Sequence, residues 1–207
     1  MKEKRLITSA LTYVNNIPHV GHIVGCHLPA DIFARYCRSF GYDTTFVGGS
    51  DMHGTPSLVT AQEVGLPVEE LTEKLHQIHK QIYEKLEISY DIYSNTHTDI
   101  HKEVTTDFFL TLNKNGYISQ GETDVYYCDH CNMFLPDRYV VGTCPKCGYE
   151  AANGDQCEKC DSLLSSGELV NAKCKTCGRP ATLKRTKHIF LRLDKGTEML
   201  DKYIESK

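Results

Sequence analysis

RLITSALTYVNNIPHVGHIVGCHLPADIFARYCRSFGYDTTFVGG, residues 5–49, reads as strand, turn, helix and strand again. Arg5–Val14 mixes apolar and β-branched residues and runs into the turn residues Asn15-Asn16-Ile17-Pro18. From His22 the period changes. Ile23, Cys26, Ile32, Phe33, Tyr36, Cys37 and Phe40 recur at helical spacing until Gly41 stops the pattern. Pro29 lies inside it and predicts a kink or break. Asp43–Val47 then forms a second strand that ends at Gly48-Gly49. Working outward, 57–65 and 68–87 read as helices, 90–94 as a short strand, and 98–114 as a helix stopped by Asn115-Gly116. Past the last cysteine, 187–193 alternates as a strand and 196–205 is amphipathic. Strands alternating with helices predict a Rossmann-like α/β fold with a parallel sheet, whose ligands lie at the carboxyl ends of the strands. The unusual polar residues fall at two such places, His19–His22 and Asp51–Thr55.

The composition bounds the rest. The 207 residues are 40% hydrophobic and 24% charged, a globular balance for one or two domains. No run approaches the roughly 18 apolar residues of a membrane span, and the first residues lack a signal peptide's apolar core. The net charge of −4 argues against general coating of nucleic acid. It is unevenly spread: residues 1–127 carry ten Lys and Arg against sixteen Asp and Glu, and 128–187 carry nine against seven. That second block holds four C-x-x-C pairs, Cys128/Cys131, Cys144/Cys147, Cys157/Cys160 and Cys174/Cys177. Without a secretory signal, this density fits bound metal in a reducing cytosol better than disulfides. The expected organisation is an α/β domain over 1–120, a metal-stapled insertion over 121–186 and a return to the first domain over 187–207. With so few strands the sheet looks unfinished, so the chain reads as the N-terminal part of something longer.

A helix N-terminus offers free N–H groups and partial positive charge to phosphate, and histidines at i and i+3 add donors. The string His19-Val20-Gly21-His22 alone is a weak signal. It gains weight from Ala10-Leu11-Thr12-Tyr13 before it and Gly49-Ser50-Asp51-Met52-His53-Gly54-Thr55-Pro56 after it, in that order and at these separations. Together they resemble the first half of a class I aminoacyl-tRNA synthetase. Phe134-Leu135-Pro136-Asp137-Arg138, set among the C-x-x-C pairs, makes the resemblance closest to the methionyl-tRNA synthetase family, and it covers essentially the whole chain. The resemblance implies ATP-dependent activation of methionine to methionyl-adenylate and transfer to tRNA(Met), with magnesium accompanying ATP, in the cytoplasm, and with no membrane or DNA partner. It implies that His19 and His22 contact the triphosphate, that Gly21 accommodates adenine, that Asp51 pairs with the amino acid's ammonium, and that Leu11 and Tyr13 line the methionine pocket. His53 and Gly54 are expected to hold their loop. Thr12 stands where many family members have Pro. The family's Lys-Met-Ser-Lys-Ser signature does not occur in the 207 residues, which predicts an isolated chain nearly incompetent for adenylate formation.

Two thiolates separated by two residues bind one tetrahedral ion from a tight turn, and two such knuckles close a structural Cys₄ zinc site. Gly148 and Gly178 follow two of the pairs and suit such turns. Spacing permits tandem sites, 128/131 with 144/147 and 157/160 with 174/177, an arrangement that the repeat offsets of 29 and 30 favour. It equally permits nesting, 144/147 with 157/160 inside 128/131 with 174/177. Family members that keep only some of these cysteines favour nesting, with two zinc ions per chain. The resemblance also implies that this connective insertion packs over the catalytic crevice and helps place the tRNA acceptor end. Lys184, Arg185 and Lys187 read as a solvated face, and the pairs His76/His79 and His97/His101 as solvated helical histidines. Cys26 and Cys37, three helical turns apart, are expected in the core. The rival readings are a leucine-, isoleucine- or valine-specific synthetase and a zinc-ribbon RNA-binding module without catalysis.

Overall fold

The computed structural model describes residues 2–206, in two compact units divided between Thr106 and Asp107. The first unit is built on a parallel sheet of β1 (Lys4–Thr8), β2 (Thr12–Tyr13), β3 (Asp43–Asp51) and β4 (Ile92–Asn95). β3 pairs with each of the other three. Val47 faces Thr8 and Ile92, and Ser50 faces Thr12 and Asn95, so β1 and β2 share one edge of β3 while β4 takes the other. The strand expected over 5–14 is thus a single course interrupted at Ser9–Leu11, where the register slips by one residue. β3 does not stop at Gly48-Gly49 but continues to Asp51. There is no room for side chains at those glycines. A Cβ on Gly48 would lie 2.3 Å from the Tyr90 ring, and one on Gly49 would lie 2.9 Å from the Ser94 carbonyl.

One helical run covers Val20–Ser39: α1 (Val20–His22), a five-residue π turn (Ile23–His27) and α2 (Leu28–Ser39). The break expected at Pro29 does not occur there. Pro29 takes a first-turn position of α2, where its missing N–H costs little, and the irregularity moves upstream into the π turn. Gly41 ends the run at φ +86°. Next come α3 (Thr55–Val64), α4 (Val68–Lys85) and α5 (Asp99–Lys114), close to their expected bounds. The core beside the sheet joins Ile7, Ala34, Cys37, Phe46, Tyr83 and Ile88. Buried Asp31 ties α2 to the approach to β4, accepting the Ser89 N–H at 2.6 Å and the Arg35 guanidinium at 2.7 Å.

The second unit holds β5 (Ile118–Cys128), β6 (Met133–Phe134), β7 (Val140–Thr143), β8 (Ala152–Asn153), β9 (Val170–Cys174), β10 (Thr182–Leu191) and α6 (Thr197–Glu205). β10 starts five residues before the expected strand and pairs antiparallel with β5 along its whole length, Thr182 facing Tyr127 and Leu191 facing Ile118. β5 itself has no counterpart among the elements expected from periodicity. β7 pairs with β8 on one edge and β9 on the other, Val140 facing Cys174, and Leu135, Tyr139 and Val140 are buried, as are Cys128, Cys144, Cys157 and Cys174.

Candidate active site and metal centres

Both polar clusters of the first unit sit at the same end of its sheet. β2 ends at Tyr13, which pairs with Asp51, the last residue of β3, and the chain beyond Tyr13 leads directly to His19. Because the strands are parallel, His19–His22 and Asp51 both follow carboxyl strand ends. The His19 and His22 rings stack at 3.8 Å and 17°. A Cβ on Gly21 would lie 2.9 Å from the His19 ring, so only glycine lets the imidazole lie against this backbone. His22 Nδ1 is shielded and has no hydrogen-bond partner among the described residues. Burial, and then the neighbouring His19, push the His22 pKa down, so at neutral pH it is an N–H donor and not a cation.

Asp51 is half-buried. Its Oδ1 accepts the His53 N–H at 3.0 Å and the Thr96 hydroxyl at 3.4 Å, while Thr96 accepts the Met52 N–H at 2.9 Å. Leu11 and Tyr13 are half exposed, and the Tyr13 ring lies where any side chain on Gly54 would go, 2.7 Å from the position of a Cβ. His53 and His97, with ring centroids 5.3 Å apart, border an open cavity of about 460 Å³ at the tips of β3 and β4.

Two histidines depart from expectation. His76 and His79 are not solvated: they are 5% and 1% exposed, and their face of α4 lies against the sheet. His76 Nδ1 is 2.9 Å from Ser50 Oγ, and His79 Nε2 is 2.7 Å from the Asn16 carbonyl. His27, which no motif covers, is fully buried between Tyr83 and Tyr90. The i, i+3 spacing of 76 and 79 signals a shared face, but what meets that face comes from elsewhere in the chain. His97 and His101 are exposed, as expected. Cys37 is buried, whereas Cys26 is half-exposed and takes the Ala10 N–H on its sulfur at 3.2 Å.

The eight paired cysteines form two groups, Cys128/Cys131/Cys174/Cys177 and Cys144/Cys147/Cys157/Cys160. This is the nested arrangement. Sulfur pairs lie 3.5 Å apart (Cys128–Cys177), 4.0 Å (Cys131–Cys174), 3.9 Å (Cys144–Cys160) and 3.6 Å (Cys147–Cys157). Four sulfurs at about 2.3 Å from one tetrahedral ion stand about 3.8 Å from each other, so both groups fit such an ion. The residue after the second cysteine has positive φ in all four knuckles: Asn132 +52°, Gly148 +72°, Asp161 +54° and Gly178 +70°. Asn and Asp tolerate this region better than other side chains, so all four turns share one backbone. In the sequence only the two glycines announce it.

The profile described as "tRNA synthetases class I (M)" matches residues 5–207. A methionine–tRNA ligase of Caenorhabditis elegans, described as cytoplasmic, is 47% identical over 205 residues, 97% of this chain and 22% of that protein. A methionine–tRNA ligase of Pyrobaculum islandicum is 45% identical over 202 residues, 98% of this chain and 36% of that protein. The chain therefore spans about a fifth to a third of the length of these relatives. Among solved structures, a Mycobacterium tuberculosis methionyl-tRNA synthetase in complex with methionyl-adenylate aligns with a TM-score of 0.68 at 23% identity, over 100% of this chain and 35% of that one. A leucyl-tRNA synthetase of Agrobacterium radiobacter K84, in a ternary complex with tRNA, aligns equally well, with a TM-score of 0.68 at 18% identity over 99% of this chain and 22% of that one. The backbone alone therefore does not separate methionine from leucine enzymes. The sequence does: with its profile match and these identities, the chain belongs to the methionine branch of the class I tRNA synthetases.

Proposed function

We propose that the chain carries the amino-acid-activating site of a cytoplasmic methionine–tRNA ligase. The observation behind the choice of amino acid is identity of 45–47% to methionine–tRNA ligases across nearly the whole chain. In the reaction, a carboxylate oxygen of methionine attacks the α-phosphorus of magnesium-bound ATP and the bond to pyrophosphate breaks. A ribose hydroxyl at the end of tRNA(Met) then attacks the methionyl carbonyl and AMP leaves. No covalent bond to the protein is needed, so the residues orient reactants and meet developing charge.

His19 and His22 donate to the triphosphate at the start of the helical run, where the orphaned His22 Nδ1 gains a partner. Gly21 gives adenine access to the backbone. The protein uses Asp51 Oδ1, which leaves Oδ2 for the methionine ammonium, a charge-assisted pair that is strong once water is excluded. Leu11 and Tyr13 flank the thioether. In the second unit, eight thiolates would hold two zinc ions. Four sulfur ligands leave no open position, so the metal staples the module that meets the acceptor end of tRNA and takes no part in the chemistry. The domain extents 1–120, 121–186 and 187–207 belong to the same proposal.

The test is ATP–pyrophosphate exchange by the full-length polypeptide. Methionine should support exchange while leucine, isoleucine and valine do not. Exchange driven by another amino acid in place of methionine overturns the assignment.

A further inference from the structure

The segment Asn16–His22 is tied down at both ends by buried imidazoles that lie outside the motif. At its start, His79 on α4 reaches the Asn16 carbonyl through Nε2 at 2.7 Å. A carbonyl only accepts, so Nε2 carries the proton. Nδ1 has no partner among the described residues, and the ring is neutral. At its end, His27 closes the π turn that follows His22. Its Nδ1 is 2.7 Å from the Tyr90 hydroxyl and its Nε2 is 2.9 Å from the Tyr83 hydroxyl. Tyr90 also bonds Ser9 at 2.8 Å, inside the interruption between β1 and β2.

A neutral imidazole has one N–H and one lone pair, and the two tyrosines use both. That fixes the ring about its own axis and with it the π turn, a rare geometry that concentrates at functional sites. Burial depresses the pKa of both histidines, that of His27 to about 4, so neither is a charge waiting for phosphate.

We propose that His27 and His79 are positioning residues, which set His19 and His22 against Asp51 by gripping the two ends of the segment without touching substrate. This rests on the triphosphate-binding role of His19 and His22. In the full-length polypeptide, His79→Phe and His27→Phe should lower kcat for methionine-dependent exchange by about tenfold or more and raise KM for ATP, because small misplacements of reacting groups are expensive. For His79→Phe, KM for methionine should stay within about twofold, since Leu11, Tyr13 and Asp51 lie off the segment that His79 holds. His79→Gln and His27→Gln keep donors and should recover most of the loss.

Equal losses for ATP and methionine would overturn the proposal, as would Gln variants no better than Phe. So would folded Phe variants, judged by near-ultraviolet circular dichroism, with unchanged ATP parameters. Direct titration of the full-length polypeptide with ATP supplies a second readout that needs no methionine. There His79→Phe should weaken binding at least about fivefold, and unchanged affinity overturns the inference even if His27→Phe fails to fold. Full-length wild type that binds ATP but shows no methionine-dependent exchange defeats the ligase reading alone. A full-length wild type that binds no ATP defeats both.

Discussion

At the scale of single residues, Asp51 carries the sharpest expectation. One carboxylate oxygen is already engaged by the protein, so removing the other takes away the proposed ammonium partner without dismantling the loop. Asp51→Asn keeps an acceptor for His53 and Thr96. It should cost about 100-fold in kcat/KM for methionine while KM for ATP changes little, measured by exchange at varied methionine. Gly54→Ala is a steric counterpart. At φ +124° the added methyl both strains the backbone and meets the Tyr13 ring, so the variant should raise KM for methionine and lower the melting temperature. At this scale the sequence is legible wherever a residue type has few uses, as with the paired cysteines. It is opaque for His27 and His79, because a histidine reads the same whether water or a tyrosine meets it.

At the scale of elements, the helical run 20–39 shows what periodicity can convey. The apolar spacing correctly signals a helix, but Ile32, Phe33, Tyr36 and Phe40 are half or more exposed, and the buried stripe is His27, Asp31, Ala34 and Cys37. Small residues let α2 approach the sheet, and the polar ones are satisfied by partners from α4 and the approach to β4, none of which a local pattern encodes. β5 escapes a local reading for a related reason. Its residues Gln120–Asp124 are polar, and the signal for the strand lies in its partner sixty residues on, where Arg185 meets Asp124 at 3.2 Å and Lys184 sits 3.5 Å over the Tyr127 ring.

The buried His27 gives the helical run a pH dependence. Its pKa is about 4 when folded and about 6.5 when unfolded, so between those values the unfolded chain binds more protons. The His27 contribution to stability should therefore be flat above pH 6.5 and fall as the pH drops towards 4. His27 alone contributes a loss of up to about 3 kcal/mol, since each tenfold change in proton affinity is worth about 1.4 kcal/mol. Denaturant titrations at pH 7 and pH 4.5 of wild type and His27→Gln check this, and the substitution should flatten the slope.

At the scale of the molecule, two units of about a hundred residues rely on different cohesion. The first has a sheet and a hydrophobic core, whereas in the second four of the most deeply buried side chains are cysteines, Cys128, Cys144, Cys157 and Cys174. Elemental analysis should find two zinc ions per chain, and none would end the metal assignment. Chelation should unfold the second unit, read as loss of dispersed amide signals from 107–207, while signals from the β1–β4 sheet persist. Cys147→Ser should lower the stoichiometry to about one. The parallel sheet and the metal module are both legible from order and spacing. The pairing of the knuckles is not fixed by spacing, because thirty residues of irregular chain can close either way.

Nested partners have a consequence for synthesis. The inner four thiols are complete within seventeen residues, but Cys131 must wait for Cys174, 43 positions later. At about 5–20 residues per second on the ribosome, Cys128 and Cys131 remain open to oxidants or the wrong partner for about one to three seconds after the inner quartet is complete. Closing that quartet first ties residues 144–160 together and shortens the loop the late thiols must close, so the order of emergence itself guards against mispairing.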